Sequence, residues 1–200
     1  DFLIAFKKYL SKVSESDYLG QVLQLSWLRT SRYYNVTSNN PYLKEIEIRF
    51  KETVDYDDWK KNEVFEIEED LLSAIAINEK ETSDELYPAF KLLSIIFIEI
   101  DDKKELDYAI KALEVAGKAE EASYSIGKRM YRSPEELQPY LDQANYNKAE
   151  ANDRLGMIYI GIKDWNNAKK NYNEFVKLSP NVAYGFNQLA ACKRESGDPK

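Results

Sequence analysis

The stretch Ala149–Pro180, AEANDRLGMIYIGIKDWNNAKKNYNEFVKLSP, decides how the rest of the chain reads. Leu155, Gly156 and Tyr159 fall on one helical face. Ala168, Tyr172 and Phe175 follow at the i, i+4, i+7 spacing of a second helix, which Pro180 then stops. Counting on by 34 residues, Ala149 recurs as Ala183, Leu155 as Leu189 and Gly156 as Ala190. A fixed period of this length marks stacked helical units, none of which can cover its apolar face alone. Gly156 and Ala168 have a packing reason in such a unit, because larger side chains would hold the paired helices apart.

Upstream the pattern stays helical. Ser133, Pro134 and Glu136 make a capping box with proline at the first helical position, leading a helix through Leu137 and Leu141. Ser83 and Asp84 open a helix through Leu86, Phe90, Leu93 and Phe97. Asp101–Lys104 reads as the turn into a return helix carrying Leu106, Ala109, Leu113 and Ala116. At the start of the chain, Phe2, Leu3, Phe6, Leu10 and Val13 repeat at helical spacing. Ser16 and Asp17 form an N-cap pair for a helix through Leu19, Val22, Leu23, Trp27 and Tyr34, and Thr37–Asn40 with Pro41 make a loop. Residues 43–68 support two readings. Leu43, Ile46, Phe50 and Val54 fit a helix, while Ile46, Ile48, Phe50, Val54 and Tyr56 alternate as a strand that Phe65 and Ile67 could pair with. From Leu71 the run Leu71, Leu72, Ile75, Ile77 is helical. The chain thus divides into residues 1–80, a helical region of unassigned type with a β-hairpin alternative within 45–68, and residues 81–200, helical repeats whose best unit is 149–182.

The order Leu155, Gly156, Tyr159, Ala168, Tyr172, Pro180 resembles the motif of the tetratricopeptide repeat family. The resemblance implies an all-α, helix-hairpin superhelix, an α-solenoid, acting as a non-catalytic protein-interaction scaffold. The first helix of each unit in that family points side chains into a groove. Carried over by position, the groove slots hold Asp153 and Met157, then Asn187 and Ala191. One subset of the family grips a peptide carboxylate with paired Lys and Asn, a pairing this chain lacks. Asp153, Met157, Tyr184, Asn187 and Arg194 make instead a mixed groove suited to a peptide or helix with some positive charge. The unit around Ala109 is a degenerate repeat with an overlong turn. The chain stops at Gly197–Pro199, where the partner helix of the second unit would start, and begins at Asp1, so a longer natural protein is expected.

Composition narrows the chemistry. Histidine is absent, which removes the commonest general base, metal ligand and pH switch together. The single cysteine, Cys192, cannot form an internal disulfide, and its counterpart one period earlier is Ile158, so a small buried apolar role is expected. No phosphate-binding loop, nucleophile elbow or zinc spacing is present. Asp55, Asp57 and Glu66 have EF-hand spacing, but Lys60 occupies the obligatory glycine position, so no metal and no cofactor are expected. No segment reaches the roughly 20 apolar residues of a membrane span. The expected compartment is the cytoplasm, or the periplasm or exterior if Asp1 is a mature N-terminus.

Charge is uneven. Residues 51–102 hold 5 basic and 16 acidic groups, net −11, whereas 1–50 and 103–200 are each +2, and the whole chain is −7. Such a field repels nucleic acid and anionic membrane. It leaves open an adaptor or neutralising, immunity-type protein that meets a basic partner through 51–102. Lys128, Arg129 and Arg132 beside Tyr131 are too few for a nucleic-acid surface. Glu66, Glu68, Glu69 and Asp70 read as a solvated helix face. Their alternative is a helical hydrolase, which needs two buried carboxyls roughly 5–10 Å apart in an aromatic pocket.

Overall fold

A computed structural model describes residues 15–34, 60, 62–78, 85–129 and 133–197. Among these residues the regular structure is entirely helical: α1 (Glu15–Tyr34), α2 (Val64–Asn78), α3 (Leu86–Ile96), α4 (Asp102–Arg129), α5 (Pro134–Gly161), α6 (Trp165–Leu178) and α7 (Ala183–Glu195). The chain divides into two compact units, residues 1–105 and 106–200. No described helix is long and apolar enough to cross a membrane.

In the first unit α1 packs on α2, and both meet α3. The buried positions of α1 include Leu19, Val22, Leu23, Leu25 and Leu28, which lie around the helix and not on one stripe, so α1 is covered on several sides. Those of α2 are Val64, Ile67, Leu71, Ala74 and Ile75. This pattern replaces the hairpin reading at its C-terminal end. Phe65 and Ile67 are not a strand but lie in the first turn of α2, with Ile67 fully buried and Phe65 55% exposed. Two alternating residues are too few to set a period of two, and the i, i+3, i+4, i+7 stripe from Val64 onward outweighs them. The first strand of that hairpin and the helix through Val13 lie outside the described residues. The turn between α3 and α4 spans Phe97–Asp101, about one helical turn earlier than its sequence reading, and residues 102–104 already belong to α4. Glu99 takes the left-handed conformation (φ 60°), and Asp101 accepts a hydrogen bond from the Lys104 backbone N–H at 3.0 Å, as an N-cap does.

In the second unit α5 opens with the expected capping box. The Ser133 hydroxyl accepts from the Glu136 N–H at 3.3 Å, and Glu136 Oε2 accepts from the Ser133 N–H at 3.3 Å. The helix then runs 28 residues without a break, passing Pro139 in its second turn. The helix through Leu141 and the first helix of the 149–182 unit are therefore one element. A short connection, Ile162–Asp164, turns the chain into α6, and Asp164 caps it by accepting from the Asn167 N–H at 3.1 Å. α6 packs along α5, and α7 packs on α6. Ala149, Ala168, Tyr172, Phe175, Leu189 and Cys192 form the core between them. A second cluster joins Ala109 of α4 to Leu155 and Ile158 of α5.

The close approaches are made at glycines. A Cβ on Gly156 would stand 2.6 Å from Tyr172 Cε2, and one on Gly185 would collide with the Phe175 ring. The 34-residue period matches burial at Leu155 and Leu189, and at Ile158 and Cys192. It departs at Gly156 and Ala190, because α6 covers the first and no described element covers the second.

Candidate functional site

Two groups of polar side chains stand out, one in each unit. In the first, the Arg29 side chain is 3% exposed in α1 and is reached by three carboxylates. Its Nε lies 3.4 Å from Glu63 Oε2, its Nη2 3.1 Å from Glu66 Oε2 and its Nη1 3.2 Å from Asp70 Oδ2. Glu66 and Asp70 are four apart on α2 and so share a face. Nearby, Lys104 Nζ donates to both Glu68 oxygens, at 2.8 and 2.7 Å, and stands over the Phe65 and Phe97 rings at 5.2 and 4.8 Å. The expected solvated face on α2 is therefore only partly that. Glu69 is exposed, but Glu68 is buried in an ion pair, and Glu66 and Asp70 hold a buried guanidinium. A helix periodicity cannot show this, since the partners lie 34 to 41 residues away in sequence.

The second group lies where α5, α6 and α7 converge. Asp153 of α5 lies close enough to the Tyr172 and Tyr184 hydroxyls for both to favour its charged form. Those hydroxyls are 3.5 Å apart, and their rings meet edge to face at 6.4 Å. Tyr172 is fully buried, packed edge-on against Phe175, and burial pushes its phenol far up. Burial is also the main cause that raises the Asp153 carboxyl. Glu150 adds to it, while the two tyrosine hydroxyls and Arg154 oppose it. Asp153 Oδ1 is shut off from solvent and receives no hydrogen bond from the described residues.

The other groove positions surround this group unequally. Met157 is one turn beyond Asp153 on the same face of α5 and is 41% exposed; Tyr184 is 40% exposed. Asn187 is exposed, three residues after Tyr184 on α7. Arg194 is exposed at the end of α7, with its Nε 3.2 Å from Glu195 Oε1. Asp153 and Tyr184 thus lie near one another, while Met157, Asn187 and Arg194 form no hydrogen bond or ion pair with them. Tyr172 is the member that sequence reasoning missed. Its place in the apolar i, i+4, i+7 series marks it as core, and only its hydroxyl, at the edge of that core, joins the site. Cys192 is a free, fully buried thiol raised by burial, which suits packing rather than reactivity. No family model matches this chain, and no curated protein sequence is significantly similar to it.

Proposed function

We infer that the second unit is a tetratricopeptide-like helical scaffold that binds a protein or peptide partner without catalysis. The observation that carries this reading is the convergence of Asp153, Tyr172 and Tyr184 from three successive helices, beside the exposed Met157 and Asn187. A surface of tyrosine, methionine and amide side chains around a carboxylate gives adaptable contact area with a few orienting polar groups. Chemistry is less well served. Tyr172 holds its proton, Cys192 is sealed in the core, and the chain has no histidine to act as a base. The acidic-face alternative has less to offer on the described residues, because Glu63, Glu66, Glu68 and Asp70 already face in-chain cations.

The test is selection of displayed random dodecapeptides on the immobilised protein. Recovered peptides are then re-bound to the Asp153→Lys, Asn187→Ala double variant, with circular dichroism as the folding control. The reading expects a recovered peptide family whose affinity falls tenfold or more on the variant, about 1.4 kcal/mol. Recovery of no peptide, or equal binding to a folded variant, defeats it.

A further inference from the structure

We propose that Asp153, Tyr172 and Tyr184 form the seat for a cationic side chain of the partner, a lysine ammonium or an arginine guanidinium. This rests on the groove reading above. The argument starts from charge compensation. Where other partly buried carboxylates of the described residues are grouped, the chain supplies its own cation: Arg29 for Glu63, Glu66 and Asp70, and Lys104 for Glu68. Asp153 forms no ion pair among the described residues. Arg154 follows it directly on a helix of 3.6 residues per turn and so leaves the backbone on a different side. What Asp153 does have is two phenolic hydroxyls on one side and an oxygen, Oδ1, that nothing described donates to.

A half-buried carboxylate with no ion pair, helped only by the longer-range pull of Arg154, is costly in the free protein, and a bound cation relieves that cost. The walls of the site suit such a cation. Aromatic faces attract an ammonium or guanidinium by the ring quadrupole, and Tyr184 offers one at the rim of the site. Access to Oδ1 requires a side chain to turn aside. Tyr184, at 40% exposed and with only a long 3.5 Å hydroxyl contact to the buried Tyr172, is the side chain of the two whose movement the seat requires. A neutral donor could bond Oδ1 but would bring neither the counter-charge nor the attraction of the aromatic faces, and an acidic group would add repulsion, so the site favours a basic side chain.

The test uses the full chain and n-butylammonium chloride as the probe, with n-butylguanidinium in a second arm and n-butanol and sodium chloride as controls. Carbon-detected resonances of the Asp153 carboxyl and the tyrosine rings report binding. The expected result is a saturable shift with both cations at Kd on the order of millimolar. It should be weakened tenfold or more in Asp153→Asn and in Tyr184→Ala, and absent with butanol. Asp153→Asn should also be at least as thermally stable as the parent, because a carboxylate kept for a ligand costs the free protein stability. No saturable response, or one that survives Asp153→Asn, overturns the seat. So does an Asp153→Asn chain that melts lower or fails to fold, since that makes the carboxylate a structural acceptor for the two tyrosines. Peptides recovered without lysine or arginine, together with no ammonium response, remove the seat and leave the groove reading intact. An ammonium response with no recovered peptide removes the groove reading and leaves the seat.

Discussion

The two units handle buried charge in opposite ways. In the first, a buried arginine sits among three carboxylates and a lysine lies between two aromatic rings on a fourth. In the second, one half-buried carboxylate lies near two tyrosine hydroxyls and forms no ion pair among the described residues. The contrast runs against the charge balance of the sequence. The segment with net −11 contains the acids that the chain uses on itself, while the +2 half contains the acid that forms no such pair. Total charge therefore locates an electrostatic field, and pairing decides whether any of it is available to a partner.

The hardest way to break the comparison is to remove the cation of the first group. Arg29→Met keeps much of the side-chain volume but leaves Glu63, Glu66 and Asp70 facing one another. Removing one partner of a buried ion pair costs about 3–5 kcal/mol. Because Glu66 is 60% and Asp70 37% exposed and can regain water, the low end, about 3 kcal/mol, is expected. Denaturant unfolding measures it. A loss below about 1 kcal/mol would mean that the cluster is a surface feature and no different in kind from the exposed pairs.

Gly156→Ala attacks the second group through its packing. The added methyl would lie 2.6 Å from a fully buried Tyr172 ring that has nowhere to retreat without leaving Phe175 and Asp153. Overpacking of this kind costs about 1–3 kcal/mol, and the better helix propensity of alanine returns less than about 1 kcal/mol. A net loss of about 1–2 kcal/mol is expected, with altered Tyr184 ring resonances. Within the first group, Glu66→Gln should cost about 0.5–1 kcal/mol, since Arg29 keeps two carboxylates and Glu66 is mostly in water. A larger loss would show that the three acids act as a unit.

How much of this was legible follows from the range of the interactions involved. Local signals were readable: the Ser133–Glu136 capping box, the helix of α1, and the recurrence of Leu155 as Leu189 are all set within one element or one period. Asp153 and Tyr184 were both read as groove positions counted along the repeat, but no spacing in the sequence says that they lie near one another. Nor is the Arg29 cluster legible, because its partners are brought together by the packing of α1 on α2 and no local spacing encodes that. Phe65 and Ile67 failed for the opposite reason: two residues fit either period, and burial of the longer stripe chose the helix. Gly185 was overlooked because its counterpart in the repeat is Ala151, although both are buried against neighbouring helices.

The smallest expected effect is the sharpest test of the contrast, because its sign differs. Burial raises the Asp153 carboxyl above its ordinary 3.8, so between that value and the raised one the folded chain holds a proton that the unfolded chain has released. Stability from this group is therefore present at low pH and is lost as pH rises through the folded-state value. Asparagine carries no charge at any pH and escapes that loss. Asp153→Asn should match the parent near pH 3.5 and exceed it by up to about 0.5–1 kcal/mol at pH 7.5, read as a difference in denaturant midpoints. Glu150, Arg154, Tyr172 and Tyr184 all influence the same carboxyl and are common to both proteins, so their contributions largely cancel in the difference. A variant that instead loses stability relative to the parent as pH rises would make Asp153 a carboxylate that the fold needs charged. A variant that gains it leaves Asp153 as the group whose charge is useful only when something else supplies the cation.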